Sequence, residues 1–482
     1  MSEAIPFAEA ANIAISIHQE ADKRLRARDP SWAQYIAEAR NRYVQLLNAR
    51  PDDPQILFCL GTSYLMAGES AMAWMILERL HDKADATFDA LNNIGVAYRQ
   101  QHHNAQAMQW YEKALELKPD EPDVLANLTS LHVNEGHPEK GIPHGEKCLS
   151  LKPDHPQAIW NLALLYLESG EYDKGFALYN RGFETKDRLE RTYIDSRGVN
   201  VPFWWNDGED TSDKTIVIHD SQGQGDGLLA LQLIPCILPR FKKVILDIHY
   251  KFYEEVVRAF PTCTVYPTRK EEPVWASTEV IDYKQDALSL FQWFHMERGT
   301  HCGWLKPLPE KKAMAEKMVS AWQKARGEKG RKRIGIHWTG GRHSTRIDLR
   351  SIPLPMWQPI MDLPVTLVSL QYTDSALRDL APYADRIFHC HGMVGEKNAD
   401  LGLNIALSSV CDLVVSVNTT AIHIAGSMNQ PGITLTPFGR AWRYGRGDRV
   451  PFYQSIQQVN QAEGEDWTGP MQEAAKRVGE FL

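Results

Sequence analysis

Cysteine is scarce in this sequence. Seven occur in 482 residues: Cys59, Cys148, Cys236, Cys263, Cys302, Cys390 and Cys411, an odd number with no Cys-x-x-Cys pair. Neither a disulfide framework nor a cysteine-built zinc site is expected, and a reducing compartment fits this usage. Long apolar runs are missing as well. No stretch of about 20 apolar residues occurs, so no integral membrane segment is expected. The N-terminus carries Glu3 and Glu9 and no basic segment followed by an apolar core, which is not the pattern of a signal peptide. Positive charge is in deficit: 53 Lys and Arg stand against 61 Asp and Glu, a formal net charge of −8. Such a surface does not read as a binder of nucleic acid or anionic membranes. The expectation is a soluble, cytoplasmic protein.

What is present is ordinary globular material. Hydrophobic residues make up 43% and charged residues 24% of the chain, which argues against disorder. At ~150 residues per domain the length suggests about three domains. Fourteen tryptophans are a high count and point to extended aromatic contacts.

The first third repeats itself every 34 residues. Gly61 and Gly95 fall on this step, as do Tyr64, Tyr98, His132 and Tyr166. So do Gly68, His102, Gly136 and Gly170, and the prolines Pro119 and Pro153. A small residue, an aromatic and a late proline at this period are the tetratricopeptide signature. Leu91, Ile94 and Tyr98 make one apolar stripe at helical spacing, and Ala107, Tyr111 and Ala114 another. Each copy is therefore a helical hairpin. One hairpin cannot bury its own faces, so the copies stack into an α-solenoid. Copies start at Pro54, Phe88, Pro122 and Pro156, and Tyr35 to Pro51 read as the second helix of a degenerate earlier copy. Asn93, Asn127 and Asn161 recur at one position of the repeat, with Cys59 in the preceding copy. In this register they line the concave face, where side-chain amides bind an extended peptide backbone or bond within the solenoid.

After residue 213 the texture changes to alternating strand and helix. Thr215–His219, Lys243–Ile248, Cys263–Tyr266 and Glu279–Tyr283 read as strands of one block. Arg333–Trp338, Val365–Ser369, Arg386–His389, Leu413–Val417 and Gly432–Leu435 read as strands of a second. Helices are expected at Leu228–Leu238, Leu401–Ser408, Thr420–Met428 and Met471–Leu482. The expected fold is α plus α/β: a solenoid over residues 1–185, a packed connector over 186–213, and two Rossmann-like domains over 214–325 and 326–482. Ligands of such sheets bind at the carboxyl ends of the strands.

Three loops at those ends carry polar residues. The first runs from His219 to Asp226 and is glycine-rich, so backbone can approach a ligand at a helix N-terminus. Asp226 opens the next helix, either as a general base or as a helix cap. The second runs from His337 through Thr339, Gly340, Arg342, His343 and Arg346 to Arg350, and its hydroxyl, glycines and arginines suit a diphosphate. The third is Ser416 to His423, where Thr419 and Thr420 open a helix after a strand and their hydroxyls and backbone N–H groups can hold phosphate.

Together these loops resemble the heptosyltransferase-like glycosyltransferases of the two-Rossmann (GT-B, family 9-like) group, over about residues 200–482. The union with tetratricopeptide repeats is similar to a bacterial glycosyltransferase group and to the domain plan of the O-linked N-acetylglucosamine transferases. The family pattern Gly-x-Gly-Asp matches Gly223–Asp226, and Ser-Val-Asp-Thr-x-x-x-His-x-Ala-Gly matches Ser416–Gly426, with Asn418 in place of the family Asp. Trp442-Arg443-Tyr444 and Pro451-Phe452-Tyr453 also match. The resemblance implies that Asp226 is the catalytic base. It implies that Thr339, Gly340, Arg350, Asn418, Thr419, Thr420 and His423 hold a nucleotide-sugar donor. It also implies transfer without a metal or a resident cofactor. No His-Glu-x-x-His motif occurs and no two aspartates stand two apart, so a zinc-protease helix and an Asp-x-Asp sugar-nucleotide motif are both absent.

The function implied is glycosyl transfer from a nucleotide sugar to an acceptor protein recruited by the repeats. Two alternatives are a non-catalytic scaffold with a degenerate GT-B half, favoured by Asn418, and transfer to lipopolysaccharide or another glycan. A dehydrogenase reading would use Asp247, about 20 residues beyond Gly223, but the glycines run Gly-x-Gly-x-Gly rather than Gly-x-Gly-x-x-Gly.

Overall fold

The computed structural model describes residues 5–80, 87–184, 191–206, 208–220, 223–267, 272–340, 347–372, 375–390 and 400–482. The chain forms two compact units, Met1–Leu162 and Ala163–Leu482.

The first part of the chain is helical. Its elements are α1 (Phe7–Arg26), α2 (Trp32–Ala49), α3 (Pro54–Met66), α4 (Ser70–Leu77), α5 (Phe88–Gln100), α6 (Asn104–Leu117), α7 (Pro122–Glu135), α8 (Pro138–Leu151), α9 (Pro156–Glu168) and α10 (Tyr172–Glu184). The odd-numbered helices from α3 on begin at Pro54, Phe88, Pro122 and Pro156, the residues that the 34-residue register predicts. Local chemistry sets these starts. The Asp53 carboxylate accepts from the Ile56 N–H and caps α3, and the Thr87 hydroxyl accepts from the Ala90 N–H and caps α5. Proline opens α3 and α7, where its missing N–H leaves nothing unsatisfied.

Each hairpin turns through a residue with positive φ. Gly68 (φ 74), Gly136 (φ 74) and Gly170 (φ 82) do so without strain, whereas the equivalent position in the Phe88 copy is His102 (φ 62). Packing within a copy relies on small residues. Ala107, Tyr111 and Ala114 are fully buried, and the Tyr111 ring lies across Gly95, where a Cβ would stand 2.6 Å from it. The degenerate first copy is a whole hairpin, since α1 precedes the predicted α2. Its buried residues are Ala11, Ala14 and Ala21, with Phe7, Ile15 and Ile17 packed beside them.

The division between units falls inside α9, before the boundary at residue 185 read from the repeats. The aromatic face of α10 explains this. Phe176 stacks on Phe291 and meets Trp442 edge-on, so the last hairpin shares its core with the sheet-bearing region.

That region contains two all-parallel sheets. The strands of the first are β1 (Thr215–His219), β2 (Lys243–Asp247), β3 (Thr264–Tyr266) and β4 (Tyr283–Asp286), in the order β3-β2-β1-β4. The strands of the second are β5 (Arg333–His337), β6 (Thr366–Ser369), β7 (Ile387–Phe388), β8 (Leu413–Val417), β9 (Gly432–Thr436) and β10 (Ile456–Asn460), in the order β10-β9-β8-β5-β6-β7. The structure differs from expectation at three points. The strand expected at Glu279–Tyr283 begins only at Tyr283, because Glu279 and Ile281 spend their carbonyls on the Ser196 N–H and the Arg197 guanidinium. Strand β10 was not anticipated, since Ile-Gln-Gln-Val-Asn lacks a continuous apolar run. The helix α11 (Gln224–Leu231) also starts ahead of the expected Leu228.

Candidate functional site

The predicted base lies in the first turn of α11. Its Oδ2 reaches back to accept from the Gly223 N–H at 3.1 Å, so Asp226 does cap its own helix. Its Oδ1 accepts from Nε of Arg443, which arrives from the short turn Trp442–Tyr444 after β9. Both partners of this ion pair are largely buried. Burial pushes the Asp226 carboxyl upward, but Arg443, His423 and the Gly223 N–H together outweigh it and hold the group below the usual carboxylate range.

His423 completes the cluster. Its Nδ1 pairs with the Tyr453 hydroxyl and its Nε2 with the Tyr444 hydroxyl, each at 3.2 Å. Burial drives its pKa down to about 4, with Asp226 raising and Arg443 lowering it. The imidazole is therefore neutral at pH 7, with both nitrogens engaged. Helix α11 packs against the helix Thr420–Ser427, and Gly225 permits this because a Cβ there would overlap the His423 ring.

The second and third loops also converge. Gly340 packs against Thr419 so closely that a Cβ would overlap the threonine methyl. The Thr419 hydroxyl pairs with Ser416 Oγ at 3.1 Å and with His337 Nδ1 at 3.3 Å. Burial holds His337 down at about 3, and its buried Nε2 has no hydrogen-bond partner among the described residues. Thr339 pairs with Ser351 Oγ at 2.8 Å, and its carbonyl accepts from Gln371 Nε2. The Asn418 Oδ1 accepts from the hydroxyls of Thr434 and Thr436 at 2.7 and 3.1 Å, while its buried Nδ2 has no partner among the described residues. An amide serves two hydroxyl donors here without placing an unpaired charge in the core. Arg350 donates to the Asn418 carbonyl at 3.4 Å. Burial lowers its pKa, and Tyr444, Arg443 and Asp226 are its ionisable neighbours.

Thus Asp226 and His423 share one cluster, with Arg350 in its electrostatic reach, while Gly340, Asn418 and Thr419 adjoin each other at the start of the helix that carries Thr420 and His423. Arg342, His343 and Arg346 lie outside the described residues, as do Ser221 and Gln222 of the first loop. Arg443, Tyr444, Tyr453 and His337 were not assigned roles from sequence. For His337 the signal was present: a polar residue ends an apolar strand, as His219 ends β1. Asp247, on which a dinucleotide reading depends, is fully buried and engaged by Tyr193 and Arg191.

In the solenoid the asparagines differ. Asn127 is 7% exposed, donates to Asn92 Oδ1 at 2.9 Å and accepts from Gln157 Nε2 at 3.1 Å, tying successive repeats together. Asn161 is 8% exposed, and Asn93 is half-buried. Asn127 therefore serves the solenoid itself. Among the described residues no group of three or more His, Cys, Asp or Glu could hold a metal ion, and no helix is long and apolar enough to cross a membrane.

Fold and site define a helical-repeat protein of the tetratricopeptide type joined to a region of two parallel sheets. The tetratricopeptide repeat family matches residues 88–121. Solved structures similar to this chain are tetratricopeptide proteins. MamA of Desulfovibrio magneticus is 17% identical and matches 37% of this chain and 96% of its own, with a TM-score of 0.31. A thermophilic TPR protein of Thermus thermophilus is 18% identical over 36% of this chain and 92% of its own, with a TM-score of 0.30. YrrB, a TPR protein with an unusual peptide-binding site, is 15% identical over 38% of this chain and 92% of its own, with a TM-score of 0.29. No curated protein matches the chain.

Proposed function

We propose that this chain is a glycosyltransferase that uses a nucleotide sugar and acts on a polypeptide recruited by its repeats. In this reading residues 214–325 and 326–482 are Rossmann-like domains in a GT-B arrangement. The observation that supports it is the meeting of Asp226, in the first turn of the helix after β1, with His423, in the helix after β8, and Arg443, in the turn after β9. Loops at the carboxyl ends of parallel strands are where α/β sheets bind ligands.

Asp226 takes the proton of the acceptor hydroxyl as that oxygen attacks the anomeric carbon. Negative charge develops on the departing diphosphate. Arg350, the hydroxyls of Thr419 and Thr420 and the N-terminus of the helix Thr420–Ser427 receive it. The test is a nucleotide-sugar binding panel on the full chain, followed by intact-mass analysis of co-purified proteins. Asp226→Asn is expected to lower transfer by ~10²–10⁴-fold, the range of general-base catalysis, and to leave protein capture by the repeats intact. Normal transfer by that variant removes Asp226 from the base role.

A second reading is a scaffold that has lost the chemistry. It is favoured by one observation: both oxygens of Asp226 and both nitrogens of His423 are already engaged. Failure of every nucleotide sugar to bind would select it.

A further inference from the structure

The role of Arg443 follows from how few of its donors are used. A guanidinium has five N–H donors in a rigid fork. Arg443 spends its Nε on Asp226, and neither Nη group bonds to another of the described residues. Its side chain is 19% exposed, and its guanidinium lies 5.4 Å from the centroid of the Trp442 ring. A planar fork of this kind matches phosphoryl oxygens.

The turn that carries it is braced on the other side. Trp442 is buried, with ring centroids 5.7 Å from Phe176 and 5.6 Å from Phe452. Gly445 follows at φ 60 and ψ −168, a conformation only glycine adopts freely. The backbone is therefore fixed, and the long side chain is the part that can change partner. Arg350, assigned to the diphosphate in the reading above, lies within electrostatic range of both Arg443 and Asp226.

Asp226 in turn is a poor proton acceptor as it stands. One oxygen is held by Arg443 and the other by the Gly223 N–H. A carboxylate bonded to a guanidinium is a weak base, because the pairing stabilises its charged form.

Resting on the glycosyltransferase reading, we propose that Arg443 is a positioning residue that exchanges partners, leaving Asp226 for the diphosphate of the nucleotide when it binds and so freeing the base. One cation then serves both ends of the reaction. It keeps Asp226 ionised beforehand and meets the charge of the leaving diphosphate afterwards. Base activation becomes conditional on donor occupancy, so an acceptor alone finds no competent base.

The experiment uses the full-length chain with UDP, GDP and ADP as probes. Affinities are measured by calorimetry for the wild type, Asp226→Asn, Arg443→Met, Arg443→Lys and the Asp226→Asn/Arg443→Met double variant, each checked for folding by its unfolding transition. If Arg443 changes partners, Arg443→Met weakens binding at least tenfold and Arg443→Lys less. Asp226→Asn, which releases Arg443, tightens binding several-fold. That gain disappears in the double variant. A gain that persists without Arg443 is general charge repulsion and overturns the exchange. So does an Asp226→Asn variant that binds no more tightly than the wild type. Both results leave the glycosyltransferase reading standing. Failure of all three probes to bind the wild type overturns the exchange, while the glycosyltransferase reading falls only if the full nucleotide-sugar panel also fails.

Discussion

No Cβ fits between Gly225 and His423. The backbone near the start of α11 lies directly against the imidazole, and this contact helps to set Asp226, the next residue, beside His423 and Arg443. Gly225→Ala forces the two helices apart. Overpacking of this kind costs about 1–3 kcal/mol. The expected outcome is a lower urea midpoint with an unchanged slope, and a weakened Asp226–His423 interaction. A midpoint equal to the wild type's would show that the helices can part without loss.

Asn127 and Asn93 separate a structural from a recognition role. Asn127 links Asn92 to Gln157, so Asn127→Ala removes two side-chain bonds between repeats and is expected to cost about 1–3 kcal/mol. Asn93 is half-buried and its replacement by Ala should leave stability within about 0.5 kcal/mol. If the repeats capture a peptide through side-chain amides, Asn93→Ala is the variant that weakens capture. Denaturant unfolding and pull-down of the acceptor read the two effects independently.

His102 holds the turn position that is glycine in three other copies. Its φ of 62 places an L side chain in the left-handed region, where a non-glycine residue costs about 1–2 kcal/mol. His102→Gly relieves this strain and adds flexibility to the unfolded chain, which partly offsets the gain. A net rise in the solenoid's unfolding midpoint is expected. A fall would mean that the His102 side chain makes a stabilising contact that outweighs the strain.

Acid should destabilise both units. Burial lowers His132 to about 4, with His144, His137 and Lys140 adding to the effect and Glu139 opposing it. Burial also lowers His337 to about 3 and His423 to about 4. An exposed histidine titrates near 6.5. Between these values the unfolded chain binds protons that the folded chain refuses, so folding is disfavoured there. The histidine contribution is fully present above about pH 6.5 and is lost as pH falls toward 4 and 3. Asp226, held below the usual carboxylate range, adds a loss at the acidic end. Urea midpoints measured from pH 7.5 to 4.5 should fall. A His132→Gln variant should flatten the solenoid's profile, and an unchanged slope would exclude His132 as a source.

Much of the architecture was legible because it is local. A 34-residue period, proline at helix starts and glycine at hairpin turns all act within a few residues of themselves, so Pro54, Phe88, Pro122 and Pro156 announce their helices directly. The strands Thr215–His219 and Leu413–Val417 were equally plain, being short β-branched runs ending in polar loops. Where the local signal is weak the reading missed. The buried positions of α1 are alanines, and three of the five residues of β10 are glutamine or asparagine.

The sequence by itself determined the repeat, the alternation that follows it and the three loops that carry polar residues. Tertiary structure alone decided what those residues do. It gave Asn127 to its neighbouring repeats, packed α10 into the sheet-bearing unit through Phe176 and Trp442, and joined Asp226 to Arg443. The physical reason is range. Helix and strand formation follow from spacing along the chain, whereas an ion pair, an aromatic contact or the state of a carboxylate depends on which distant groups burial brings within a few ångströms.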